Sequence, residues 1–97
     1  MGNDAACGQA ALQAVNKLLQ DQPEKVGHDF SAAEHAVAMY RDSLAEVWRR
    51  TQAEADRARL AQANAVLSVV VGGHFPLGGV PWAHISKARE RLAELVA

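Results

Sequence analysis

Apolar residues recur along this chain at helical spacing in three segments. Between about residues 4 and 20, Leu12, Val15, Leu18 and Leu19 form one stripe, the pattern of an amphipathic helix. Pro23 and Gly27 close that segment and open a polar linker from Asp21 to Phe30. Ser31-Ala32-Ala33-Glu34 then matches the S-x-x-E capping box. In such a box the serine accepts from the third amide while the glutamate reaches back.

No Pro or Gly follows until Gly72, so the pattern predicts one helix over 31–71, about 60 Å long. Its stripe runs Val37, Tyr40, Leu44, Val47 with Trp48, Thr51, Ala55, Ala58, Gln62, Val66, and Val69 with Val70. The middle of this stripe is thin, because Leu60 is the one large apolar side chain between Thr51 and Ala65. Gly72 to Pro81 breaks the chain, with Gly72 as the expected left-handed cap. A last helix is expected over 82–96, with Pro81 or Trp82 opening it and Trp82, Ile85, Ala88, Leu92, Leu95 and Val96 on its stripe. The expected fold class is all-α: one domain, residues 1–97, in three helices with a long central one.

These lengths do not match. The first and last helices span about 25 and 22 Å, too little to cover a 60 Å helix even on one side. Either the long helix kinks and folds on itself, or a second chain covers it. The expectation favours a homodimer with antiparallel helix packing, the commonest kind of oligomer being a symmetric pair.

Composition supports helix. The chain has 97 residues, of which 49% are hydrophobic, and alanine alone accounts for 20 of them; alanine has the best helix propensity. The charged fraction of 22% is ordinary for a folded domain. A formal net charge of -1 gives no overall attraction to nucleic acid or anionic membrane. A single cysteine, Cys7, rules out an intramolecular disulfide framework. The N-terminus has neither a basic stretch nor an apolar core of a secretory signal, so a cytoplasmic location is expected.

Leu60 to Ser86 contains no Asp, Glu, Lys or Arg. A spanning helix needs about 20 continuous apolar residues, and Gln62, Asn64, two histidines, four glycines and two prolines interrupt this run. The run reads as buried protein surface, or as a surface awaiting a partner.

Charge and chemistry add limits. Arg49, Arg50, Arg57 and Arg59 are interleaved with Glu46, Glu54 and Asp56, which predicts a salt-paired helix face rather than a nucleic-acid footprint. The expected pairs are Glu46 with Arg50, Arg50 with Glu54, Glu54 with Arg57 and Asp56 with Arg59. Residues 1–36 carry more acid than base, a sign asymmetry that could set the register of an antiparallel dimer. The four histidines, His28, His35, His74 and His84, fit no metal-ligand spacing. The glycine loop fits no phosphate-binding motif. No cofactor, metal, nucleic acid or membrane is expected.

Two stretches resemble known families. Ala53 to Leu77, with Leu77-Gly78-Gly79 after it, resembles the last helix of TolC-type efflux channels before their L-G-G-G-W ending. Ala63-Asn64-Ala65-Val66-Leu67-Ser68-Val69-Val70-Val71, followed by Gly and Pro, resembles the TraM type of small quorum-sensing antiactivator. That second resemblance implies a helical dimer that binds a transcription factor. Neither carries a function or the role of a particular residue over to this chain.

The expected function is that of a non-enzymatic helical protein, a bacterial regulator, antiactivator or adaptor, acting through self-association and a protein partner. The expected contact residues are Tyr40, Leu44, Trp48, Val66, Val69, Val70, Phe75, Leu77 and Trp82. The alternative is a small-molecule pocket beside the glycine loop, with Asn64, His74 and His84 as its polar groups.

Overall fold

A computed structural model describes residues 3–22, 28–74 and 79–97. Every regular element in it is helical: α1 (Asn3–Asp21), α2 (His28–Thr51), α3 (Glu54–His74) and α4 (Trp82–Val96). The first and last helices lie where the apolar spacing places them. The middle of the chain does not. The single helix expected over 31–71 is two helices, broken at Gln52 and Ala53, so the described residues form four helices and not three.

Local bonds hold the break in place. Gln52 takes a left-handed φ of 54°, a conformation that turns the chain out of a right-handed helix. Its amide still bonds to the Trp48 carbonyl at 2.8 Å, and its side-chain Nε2 donates to the carbonyls of Trp48 (3.2 Å) and Arg49 (3.3 Å). Those bonds satisfy carbonyls that a helix end leaves without partners. On the other side, Thr51 Oγ1 accepts from the Ala53 amide at 3.2 Å and donates to Asp56 at 2.6 Å. Arg49 and Arg50 stand in the last turn of α2, and Glu54 and Asp56 in the first turn of α3. Each pair matches the sign its helix dipole favours.

Two other boundaries move. α2 begins at His28, so Ser31 and Glu34 lie inside the helix and not at its start. α3 runs on through Gly72 and Gly73 to His74, so Gly72 is not its cap.

The helices form a ring in which α1 packs on α2, α2 on α3, α3 on α4, and α4 back on α1. Two glycines fix their directions. A Cβ on Gly8 would lie 3.1 Å from both Tyr40 Cε1 and Val96 Cγ2. The start of α1, the middle of α2 and the end of α4 therefore meet at one level. A Cβ on Gly73 would lie 2.9 Å from Ile85 Cδ1 and 3.2 Å from Phe30 Cε1. That joins the end of α3 to the starts of α4 and α2. Successive helices are thus antiparallel, an up-down-up-down four-helix bundle.

One apolar cluster fills the ring. Its largest fully buried side chains include Tyr40, Phe30, Leu18, Leu44, Ile85 and Leu92. Ala63, Val66, Val70 and Ile85, all in the uncharged run from Leu60 to Ser86, belong to it, so that run supplies part of the core of its own chain, while Val71 in the same run is exposed. Folding back at Gln52 also resolves the mismatch of lengths, because α3 now covers α2 within a body 41 × 21 × 18 Å. No described helix is long and apolar enough to cross a membrane.

Candidate interaction surface

The four helices are unequal. α2 and α3 have 24 and 21 residues, whereas α1 and α4 have 19 and 15. At the level where Gly8, Tyr40 and Val96 meet, α4 is at its end and α1 has only Asn3 to Cys7 left. From Tyr40, α2 continues to Thr51, about 16 Å further. The α2–α3 hairpin therefore projects beyond both of its neighbours. Burial follows this geometry: Leu44 is the last buried residue of α2, Ala63 is the first of α3, and nothing from Ala45 to Gln62 is buried.

Along the projecting end, Val47, Trp48 and Leu60 are half-buried. Leu60 packs against the core cluster, but Val47 and Trp48 lie outside it. Trp82, the other tryptophan, stacks on Phe30 at a ring separation of 5.8 Å and belongs to the core wall. The two tryptophans thus have different roles: one closes the core, and the other stands away from it.

Four arginines, Arg49, Arg50, Arg57 and Arg59, share the projecting end with Trp48. Arg49 pairs with Glu46 at 2.7 Å and Arg57 with Glu54 at 3.2 Å. The Glu54–Arg57 pair is as the spacing predicts, whereas Glu46 takes Arg49 in place of Arg50. The break separates Arg50 from Glu54, and Arg50 makes no ion pair among the described residues. Arg59 reaches inward, its Nη2 donating to the Tyr40 hydroxyl at 3.4 Å. Such exposed pairs contribute little to stability.

The expected contact residues separate into groups. Tyr40, Leu44, Val66 and Val70 are at most 1% exposed and form the core; as placed, they offer no surface to a partner. Val69 and Trp82 are half-buried against that core. Trp48 alone stands on the projecting end. Phe75 and Leu77 lie outside the described residues. The arginines and the break at Gln52 are the features that sequence reading did not single out as a contact site. A visible signal was there: two bases, then three residues, then Glu54 and Asp56.

A shallow groove of about 660 Å³ lies between α3 and α4, lined by Gln62, Lys87, Glu90, Arg91, Glu94 and Leu95. It sits towards the end of α4, at the opposite end of the bundle from the glycine loop. Its lining mixes both charges, and neither Asn64 nor His84 takes part. Among the described residues, no three His, Cys, Asp or Glu side chains are placed to hold a metal ion. Comparison with known protein families, characterised proteins and solved structures gives no match.

Proposed function

We propose that this chain acts by binding protein, as a small regulator or adaptor without catalysis of its own, and that its contact surface is the projecting end of the α2–α3 hairpin. Self-association belongs to the same reading. One observation carries it: Trp48 is half-buried outside the core, on a hairpin end that no other helix covers. Tryptophan and arginine are the side chains most enriched among energetically dominant contact residues. Here Arg49, Arg50, Arg57 and Arg59 lie on the same hairpin end as one tryptophan. The link at its tip is only two residues long and is bonded on both sides.

Replacing Trp48 tests this reading. In the native cell, the wild-type chain should migrate in complexes heavier than its own 10.4 kDa. Trp48→Ala should fall out of those complexes while keeping its helical circular dichroism. Lys87→Ala, on the α4 side of the groove, should behave as wild type. Loss of the complexes in Lys87→Ala with retention in Trp48→Ala would put the contact on the wrong face.

A further inference from the structure

The link between α2 and α3 turns without glycine or proline, through a left-handed glutamine like the Gln22 that ends α1. From His28 to Val71 the chain has no glycine and no proline, yet it reverses direction through Gln52, a non-glycine residue at φ 54°. Left-handed backbone disfavours any side chain that has a Cβ. Glutamine and alanine, which occupy the link, are good helix formers. The locally preferred state of this stretch is a continuous helix, and the closed bundle overrides it.

Opening the link would not break up the core in kind. The packing between the two halves of the chain is α2 on α3 and α1 on α4. A second copy presents the same faces, so its α3–α4 half can dock where the first copy's own half docked. We propose that two copies of this chain exchange their α3–α4 halves, with the link at Gln52 and Ala53 straightening so that α2 and α3 become one helix in each. Short hinges held in an unfavourable conformation are the usual sites of such exchange.

In the straightened helix, Arg50 comes to lie one turn from Glu54, at the i,i+4 spacing where opposite charges meet. Arg50 makes no ion pair among the described residues of the closed form. Opposing this, the closed link holds the Thr51–Asp56 bond and the bonds from Gln52 to the Trp48 and Arg49 carbonyls. Intramolecular closure also works at an effective concentration of about millimolar order. The closed monomer therefore prevails in dilute solution and the exchanged dimer in concentrated solution. This inference rests on the self-association part of the proposed function and supplies its mechanism; binding of a different protein at Trp48 stands apart from it.

The test reads distance within one chain. On a Cys7→Ser background, Met39→Cys and Asn64→Cys carry spin labels, and labelled chains are diluted into excess unlabelled protein. In the closed monomer the labels sit on neighbouring packed helices, with axes about 8–10 Å apart. In the exchanged dimer, the same chain holds them on one straight helix about 37 Å apart. Gln52→Gly, which suits the left-handed turn and weakens a helix, should lower the dimerisation constant by more than about tenfold. Thr51→Ala/Gln52→Ala, which removes the bonds of the closed link, should raise it by about tenfold.

A dimer with the short intrachain distance would overturn the exchange while leaving self-association intact. A dimerisation constant unchanged in both variants would also overturn it. If Thr51→Ala/Gln52→Ala stays folded and monomeric up to about 1 mM, both exchange and self-association fail. The complexes that depend on Trp48 would be untouched by that result.

Discussion

Gly72 and Gly73 are neighbours on one helix with opposite reasons for being glycine. At Gly73 a methyl group would press on Ile85 and Phe30, both fully buried, so neither can easily yield. Gly73→Ala should cost about 1–3 kcal/mol, as overpacked cores do. At Gly72 nothing lies within 4 Å, and alanine is the better helix former. Gly72→Ala should therefore stabilise the protein by about 0.5–1 kcal/mol. Urea unfolding of the two variants checks both signs, and equal shifts would contradict the packing at Gly73.

Leu44 and Trp48 give a second contrast, one turn apart on α2. Leu44 is 1% exposed in the core, so Leu44→Ala should cost about 2–5 kcal/mol. Trp48 is only partly buried and lies outside that cluster, so Trp48→Ala should cost less than Leu44→Ala, because the lost area is not taken from the core. Thermal unfolding ranks the two. A Trp48→Ala loss as large as that of Leu44→Ala would place the tryptophan in the core after all.

At the scale of elements, α1 and α4 were legible because their stripes end at real punctuation, Pro23 and Gly27 after one and Pro81 before the other. The apolar stripe through 31–71 was legible too, since Val37, Tyr40, Leu44, Val66 and Val70 do face the core. A long helix folded back on itself was one of two alternatives, but the place of the reversal, Gln52, was not legible. Helix breaks are read from glycine and proline, and none is present there. The real stop is electrostatic and side-chain based: Arg49 and Arg50 favour a helix end, Glu54 and Asp56 favour a helix start, and Thr51 bonds across the gap. Each of these is also ordinary on the face of a continuous helix, so only the covering of α2 by α3 decides between them. Along a straight helix, Tyr40 and Val66 belong to one long exposed stripe; folded back, they meet in the core and leave Trp48 outside.

The tip bonds allow an element-scale prediction. Asp56→Ala removes the acceptor of the Thr51 hydroxyl, 2.6 Å away, and a favourable charge in the first turn of α3. About 0.5–1.5 kcal/mol of stability should be lost. Amide exchange should quicken around residues 51–57 before the rest of α2 and α3, because the hairpin end has no buried side chains to hold it. Uniform acceleration across the bundle would show that the tip bonds support the whole fold instead.

Taken as a whole, the molecule is a closed bundle at one end and an uncovered two-helix hairpin at the other. Its core cluster is buried within one chain, and its projecting end has a tryptophan and four arginines outside that cluster. The most direct measurement is photo-crosslinking in the native cell from a reactive benzoyl-phenylalanine placed at position 48, and separately at position 87. Self-crosslinks run at twice 10.4 kDa and are told apart from other partners by mass. A working surface at the hairpin end predicts a discrete protein adduct from position 48 and none from position 87. Adducts from position 87 alone, or none from position 48, would contradict it.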